Sequence, residues 1–284
     1  SPLCSFNERV ESMFQKIGIC GIGNMGYAIG KGIAASGLLG KGGLLLYNIH
    51  NEKAIKAANE FGPVTSVAAE VTAMAAEADV FILAVKPNTV PSVLTAIAPV
   101  FKEGSILLSV AAGVDMKTMA FYLPAKTKIV RAMPNTPVIV GAGMTSLTPN
   151  NEVRPEETDD IIEIFRSFGR AEIVEEHLID AVVGVSGSSP AYTYMFIEAL
   201  ADGAVRAGLA RAEAYTFAAQ TVMGAAKMVL ETGLHPGKLK DAVCSPGGTT
   251  IEAVRTLENN GFRTAVMEAV ITAAEKNHRM SREK

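Results

Sequence analysis

A glycine-rich segment near the start of the chain has the spacing of a phosphate-binding turn. It consists of Gly21, Ile22, Gly23, Asn24, Met25 and Gly26, and it directly follows four apolar residues. In a strand–turn–helix unit the first glycine permits a tight turn, the second lets the backbone approach a pyrophosphate, and the third lets helix and strand pack closely. The segment therefore predicts a dinucleotide-binding turn, with an ordinary tight turn as the alternative.

The end of the second predicted strand bears on which dinucleotide binds. In NAD enzymes a carboxylate about 20 residues after the turn holds the ribose 2′-hydroxyl. Here the strand ends at Asn48, an amide that can donate to a phosphate, and His50 and Lys53 add positive charge nearby. This pattern favours NADPH over NADH. Glu52 weighs against a phosphate pocket, so NADH stays open.

Three later segments place small or polar residues at the predicted carboxyl ends of strands, where open α/β sheets bind ligands. They contribute Ala84, Val85, Lys86 and Pro87, then Ala111 and Ala112, and finally Asn135. We predict that these residues line the cofactor site. The alternatives are a solvated Lys86 and a rigid turn fixed by Pro134 and Pro137.

A second polar cluster lies near the carboxyl end of the chain, where a predicted helix begins near Thr249. It contains Ser245, Gly247, Gly248, Thr249 and Thr250. The N–H groups at a helix amino end attract a carboxylate, and hydroxyl groups add further donors. The cluster predicts a site for a small carboxylic acid, with a plain turn and a threonine cap as the alternative.

The elements that position these residues follow from apolar runs and helical patterns. Strands are predicted over residues 17–20, 44–47, 79–85, 105–110 and 128–131, with a bent edge strand over 138–140 and 144–147, and helices over 25–36 and 52–61. Continuous apolar strands separated by helices are typical of a parallel sheet covered on both faces. After residue 174 only helices are predicted, over 190–208, 212–232, 249–260 and 263–279, with Ser189 as the N-cap of the first.

These elements predict an α/β fold in which a Rossmann domain with a doubly wound, mostly parallel sheet precedes an all-helical domain. We expect residues 1–15 to be a leader or an added segment, residues 16–174 to bind the dinucleotide, and residues 175–284 to bind substrate and dimerise.

Composition limits the remaining function classes. The 284 residues carry 26 Lys and Arg against 29 Asp and Glu, a net charge of -3, which is a poor match to the phosphate backbone of nucleic acids. The three cysteines are widely spaced, and no uninterrupted apolar segment has the length of a membrane span. His235 and His278 lack partners at metal-ligand spacing. We therefore expect a cytoplasmic protein that binds a small molecule, with no metal, nucleic acid or membrane partner.

Five segments together resemble pyrroline-5-carboxylate reductases. They are residues 21–26 (GIGNMG), 84–87 (AVKP), 131–137 (RAMPNTP), 186–192 (SGSSPAY) and, most specifically, 241–251 (DAVCSPGGTTI). The resemblance covers residues 16–280. It implies hydride transfer from NAD(P)H to the C=N carbon of 1-pyrroline-5-carboxylate, the last step of proline biosynthesis, by a homodimer that in this family often assembles into decamers.

The resemblance also implies roles for individual residues in a site between the two domains. Ser245 and the backbone of Gly248 and Thr249 would hold the substrate carboxylate, and Thr250 would hydrogen-bond the ring nitrogen as the catalytic residue. Glu176 aligns with a substrate-site acid of the family, with an exposed carboxylate at a helix start as its alternative. Because a protonated imine is already an electrophile, orientation beside the nicotinamide supplies most of the catalysis.

The chain departs from the family pattern at two positions, and of three rival functions one is excluded by the sequence and two stay open. Ser189 replaces the usual glycine before Pro190, and Ile49 replaces an arginine that often follows Asn48, which weakens the preference for NADPH. A β-hydroxyacid dehydrogenase would carry a catalytic lysine on the interdomain helix, and residues 190–208 contain none. A reductase of a related cyclic imine acid and a dinucleotide-binding regulator stay open.

Overall fold

The computed structural model describes residues 14–282, so nearly all of the predicted leader lies outside the described residues. These residues form two compact units, which divide between Gly187 and Ser188; the residues from Ala274 onward group with the first. The sequence places the boundary earlier, after residue 174. The structure differs because residues 176–187 pack on the first unit, where Ile179 is buried and the Glu176 carboxylate pairs with Arg131.

The first unit is built on one sheet of eight strands in the order β3-β2-β1-β4-β5-β6-β7-β8 within the described residues. The strands are β1 Ile17–Cys20, β2 Leu44–Tyr47, β3 Thr65–Val67, β4 Val80–Leu83, β5 Ile106–Ser109, β6 Lys128–Pro134, β7 Gly143–Pro149 and β8 Gly169–Ile173. Neighbouring strands are parallel except β6 and β7. The first six strands have the order of a Rossmann sheet, which confirms the predicted fold class.

Helices cover both faces of this sheet. They are α1 Asn24–Ser36, α2 Asn51–Phe61, α3 Val71–Glu77, α4 Val90–Ile97, α5 Met116–Tyr122, α6 Pro155–Arg166 and α7 Ile179–Val182. Ile19 and Ile82 face the core layer that contains Ile29 of α1 and Phe165 of α6. Residues of opposite parity, such as Phe81, face the layer that contains Leu94 of α4. Burial on both faces explains why these strands read as continuous apolar runs.

The second unit consists of helices. They are α8 Ser189–Arg206, α9 Arg211–Thr232, α10 Pro236–Val243, α11 Thr249–Asn259 and the first part of α12 Phe262–Arg282. Its buried apolar cluster contains only small side chains, Ala201, Ala214 and Ala218. Large apolar side chains are exposed instead, among them Tyr194, Met195, Phe217, Met223, Leu230 and Met267. So much exposed apolar surface marks an interaction face.

Some local predictions were wrong. Residues 138–140 belong to a 3₁₀ turn, Thr136–Val140, that ends at Gly141 with φ of 71°, rather than to an edge strand. Pro137 cannot donate to a strand ladder, and the left-handed glycine turns the chain before β7 begins. The N-cap of α8 is Ser188, while Ser189 is the first helical residue.

The ion pair beneath β1 gives a test of stability against pH. The Asp79 carboxylate accepts the N–H groups of Gln15 and Lys16 and pairs with Lys102. Burial raises the pKa of Asp79, but these hydrogen bonds outweigh it, so the pKa lies below its ordinary value of 3.8. Asp79 therefore contributes stability above that ordinary value, and the contribution is lost as the pH falls through the folded-state pKa.

We expect Asp79→Asn to lower the unfolding midpoint at neutral pH and to flatten its fall between about pH 5 and about pH 2. Asp160→Asn is the matched control, because burial and the charges of Asp159 and Glu157 raise the pKa of Asp160. Denaturant titrations at each pH measure both variants. An unfolding midpoint that falls as steeply with decreasing pH in Asp79→Asn as in the wild type would contradict the expectation.

Candidate active site

The predicted glycine-rich turn joins β1 to the amino end of α1. Gly21 has a φ of 102°, a left-handed conformation that side chains rarely adopt. A Cβ on Gly26 would lie 1.9 Å from the carbonyl oxygen of Gly21. Both glycines are therefore required by the turn and by the close packing of α1 on β1.

Gly23 differs from the other two glycines. Its φ is −85°, which any residue can adopt, and a Cβ built on it meets no atom of the described residues within 4 Å. Gly23 is the N-cap of α1. No side chain among residues 14–282 caps this helix, and its first turn contains no acidic residue. The open space lies at a positive helix end, as the approach of a pyrophosphate requires.

Two other side chains near the turn, those of Asn48 and Cys20, interact with the protein itself. The Asn48 amide oxygen accepts the N–H of Ile22 at 2.9 Å, and its amide nitrogen donates to the carbonyl of His50 at 3.0 Å. Cys20, the last residue of β1, is buried, which raises the pKa of its thiol to about 12. The thiol stays protonated and unreactive.

The segments that follow β4 and β5, together with the Arg131 side chain of β6, surround a cavity of about 800 Å³ within the first unit. Lys86 and Pro87 line it, together with Val114, Asp115 and Arg131. Ala84, Val85, Ala111 and Ala112 follow the ends of β4 and β5 as predicted. The cavity is walled partly by apolar and partly by charged side chains, which suits a ligand of mixed character.

Asn135 follows β6, and backbone groups occupy its side chain. The amide oxygen accepts the N–H of Met144 at 2.8 Å, and the amide nitrogen donates to the carbonyl of Ser186 at 3.0 Å. Ser186 lies in a π-helical turn, Val183–Gly187, that leads towards α8. Asn135 thus ties two turns together and keeps one amide hydrogen for a ligand.

Glu176 is engaged within the first unit. Its Oε1 accepts the N–H of Met116 at 2.9 Å and pairs with a guanidinium nitrogen of Arg131 at 3.1 Å. The Arg131 side chain is only 9% exposed, so this pair compensates a charge held out of water. Sequence reasoning gave Arg131 no role in the site, although a charge within the apolar middle of β6, between Val130 and Ala132, is a signal that it needs a buried partner.

The second unit contains the other predicted cluster. Residues 244–248 connect α10 to α11, and Gly247 takes a φ of 67°. Gly248 is the N-cap of α11, and no side chain caps this helix. The hydroxyl groups of Ser245, Thr249 and Thr250 have no hydrogen-bond partner among residues 14–282. Uncapped N–H groups beside unpartnered hydroxyls provide donors for a carboxylate.

Comparison with known proteins gives the family. Residues 176–280 match the model of the pyrroline-5-carboxylate reductase dimerisation domain. Residues 16–113 match a model described as NADP oxidoreductase, coenzyme F420-dependent. A pyrroline-5-carboxylate reductase of Escherichia coli is 53% identical over 95% of this chain and 100% of its own length. The chain belongs to the pyrroline-5-carboxylate reductase family. The resemblance noted in the sequence is thereby confirmed.

Solved structures of pyrroline-5-carboxylate reductases agree with this assignment. A reductase from Coxiella burnetii has a TM-score of 0.89 at 32% identity, covering 94% of this chain and 99% of that one. The enzyme of Plasmodium falciparum, solved with NADP bound, has a TM-score of 0.82 at 32% identity, covering 95% and 99%. The likeness extends over both units of the chain.

Two further observations concern the ligands that the described residues can bind. No group of three or more His, Cys, Asp or Glu side chains within residues 14–282 is arranged to hold a metal ion. In the same part of the chain, no helix combines the length and the hydrophobicity needed to cross a bilayer.

Proposed function

We propose that this chain reduces 1-pyrroline-5-carboxylate to L-proline, the last step of proline biosynthesis. The family assignment makes it an NAD(P)H-dependent oxidoreductase that acts on a C=N bond. The observation that carries the assignment of a substrate site is the amino end of α11. Within the described part of the chain it has no side-chain cap, and the hydroxyls of Ser245 and Thr250 beside it have no partner.

The nucleotide is proposed to bind along the carboxyl edge of the sheet. The open space at Gly23 and the uncapped N–H groups of Asn24 and Met25 fit its pyrophosphate, while Gly21, Ile22 and Gly26 shape the turn. Further along the edge, the residues proposed to contact the cofactor are Asn48, Ala84, Val85, Lys86, Pro87, Ala111, Ala112 and Asn135. When bound, the reduced nicotinamide supplies the hydride that adds to the C=N carbon.

The substrate carboxylate is proposed to bind at the start of α11. Partial positive charge at a helix amino end favours an anion, and the N–H groups of Thr249 and Thr250 lie in its uncapped first turn. Gly248 lets the Ser245 hydroxyl lie close to the start of the helix, since a Cβ on Gly248 would lie 2.4 Å from Ser245 Oγ, and this hydroxyl adds a donor. Glu252, in the same turn, pairs with Arg255 at 3.0 Å, which limits its repulsion of a bound carboxylate.

Thr250 is proposed as the catalytic residue. Its hydroxyl oxygen can accept a hydrogen bond from the protonated ring nitrogen, which favours the charged, electrophilic form of the imine. Glu176 is proposed to act on the substrate with the carboxylate oxygen that Arg131 and Met116 leave free. Orientation of the protonated imine and its hydrogen bonds then suffice for hydride transfer, without a dedicated proton donor.

We propose NADPH as the preferred cofactor, with NADH as the alternative. Asn48 at the end of β2 is an amide rather than the carboxylate of NAD enzymes, and the exposed His50 and Lys53 add positive charge that supports this preference. Glu52, in the first turn of α2, opposes it.

We propose that the chain works as a homodimer, with residues 175–284 as the substrate-binding and dimerisation domain. The exposed apolar side chains of α8 to α12 and the matched dimerisation model support a homo-oligomer. We further propose that the dimers assemble into a decamer and that the protein is cytoplasmic.

Oxidation of NADPH and of NADH, each with DL-1-pyrroline-5-carboxylate, tests the proposed function directly. We expect turnover with both cofactors and a higher kcat/KM with NADPH. A six-membered cyclic imine acid serves as the competing substrate. Folded protein that turns over only the six-membered ring, or neither substrate, would contradict the proposal.

A further inference from the structure

We propose that Asn48 is a positioning residue, which holds the glycine-rich turn in its nucleotide-binding conformation by hydrogen-bonding the backbone N–H of Ile22. The inference rests on the proposed function, because it assigns a role to Asn48 within the same nucleotide site. It changes that role from recognition of the adenosine ribose or its phosphate to control of the turn itself.

The register of the sheet brings Asn48 to the turn. Cys20 of β1 pairs with Tyr47 of β2, and the Gly21 N–H donates to the Tyr47 carbonyl at 2.8 Å. The next residue of each strand therefore lies at the same edge. There the Asn48 side chain bridges 26 positions of sequence to accept the Ile22 N–H at 2.9 Å.

The two partners fix the orientation of the Asn48 amide. An N–H can only donate and a carbonyl can only accept, so Oδ1 must face Ile22 and Nδ2 must face the His50 carbonyl. The side chain is thus held at both ends. Its remaining amide hydrogen is the only donor that it can offer a ligand.

The turn needs such a restraint because glycines flank Ile22. Gly21 is in the left-handed region, and neither Gly21 nor Gly23 has a side chain whose packing could hold the peptide groups on either side of Ile22. The Gly23 carbonyl is held by the Tyr27 N–H at 2.8 Å, and the Ile22 N–H is held by Asn48. Ile22 is buried, so its N–H must point towards a partner within the protein, and the Asn48 amide oxygen is that partner. Asn48 fixes the direction of this N–H, which leaves the uncapped N–H groups at the start of α1 to face the pyrophosphate.

A positioning role and a direct contact predict different selectivity. The pyrophosphate is common to NADPH and NADH, whereas the 2′-phosphate belongs to NADPH alone. Loss of the turn restraint in Asn48→Ala should therefore raise the Kd of both nucleotides by the same factor, about fivefold for one net hydrogen bond. Lys53→Ala is the contrast variant and should weaken NADPH alone.

The test is fluorescence titration of each variant with NADPH and NADH in the absence of substrate. Asn48→Asp keeps an acceptor for the Ile22 N–H, so it should bind NADH within about twofold of wild type. The KM for pyrroline carboxylate should not change in any of these variants. Thermal unfolding checks that each is folded, and Asn48→Ser, too short to span the same distance, replaces the alanine variant if that fails to fold.

Loss confined to NADPH would overturn the proposal and make Asn48 a direct phosphate contact. Unchanged affinity for both nucleotides would overturn it as well. Wild-type protein that binds neither nucleotide would instead remove the proposed function itself. Nucleotide binding without turnover of pyrroline carboxylate would remove only the substrate assignment and leave the role of Asn48 to be decided by the variants.

Discussion

Gly23→Ala is expected to lower the affinity for NADPH and NADH by about 100-fold or more while the protein stays folded. The added methyl group meets no protein atom within 4 Å and imposes no backbone strain, since φ is −85°. It would occupy the space through which a pyrophosphate approaches the uncapped start of α1. Each charge-assisted hydrogen bond lost there is worth about 1.5–3 kcal/mol.

Gly26→Ala is the matched control, because the same substitution three residues later has a different effect. Its Cβ would lie 1.9 Å from the Gly21 carbonyl oxygen, so the turn or α1 must shift. We expect this variant to lose about 3 kcal/mol or more of its free energy of unfolding. Fluorescence titration and denaturant unfolding separate the two effects. Tight nucleotide binding by a folded Gly23→Ala protein would refute the proposed pyrophosphate site.

The first βα unit could be predicted from sequence because its determinants are local. Four apolar residues form β1, and the glycines after it are required locally, Gly21 by its φ of 102° and Gly26 by its contact with the Gly21 carbonyl. The substrate loop could be predicted for a similar reason, since α11 begins at Thr249 directly after two glycines. Local backbone preference and helix-end chemistry suffice at both places.

Elements without a strong apolar pattern were missed. β3 is three half-buried residues, and in β8 only Ala171 is buried, so neither shows the continuous run of a central strand. Residues 138–140 are apolar but form a 3₁₀ turn, because Pro137 and Gly141 control the backbone there. An apolar pattern alone does not reveal whether side-chain burial or the backbone restrictions of a neighbouring proline and glycine determine the local structure.

Long-range polar contacts within the site were beyond sequence reasoning. Glu176 pairs with Arg131 across 45 positions, and Asn135 binds the Ser186 carbonyl across 51. Asn48 and Asn135 were predicted as cofactor contacts on the basis of residue type. Both residues lie at strand ends, and their side chains hydrogen-bond backbone groups there. A polar residue at a ligand-binding edge can therefore shape the site as well as touch the ligand.

Thr250→Val is expected to lower kcat/KM for pyrroline carboxylate by about 10–100-fold, because it removes one hydrogen bond to a charged group worth about 1.5–3 kcal/mol. Valine is close to threonine in shape, so the first turn of α11 should persist. The Kd for NADPH should not change, since the nucleotide is proposed to bind in the other unit.

Thr256→Val is the matched control for this substitution. It makes the same change on the same helix, at a hydroxyl that donates to the Glu252 carbonyl at 3.0 Å and lies outside the proposed site. We expect its kcat/KM to stay within about twofold of wild type. Steady-state kinetics at saturating NADPH compares the two variants. Equal losses in both would attribute the effect to the helix rather than to the Thr250 hydroxyl, and no loss in Thr250→Val would exclude that hydroxyl from catalysis. A loss confined to Thr250→Val, with nucleotide affinity intact, separates the chemistry at α11 from the binding at α1.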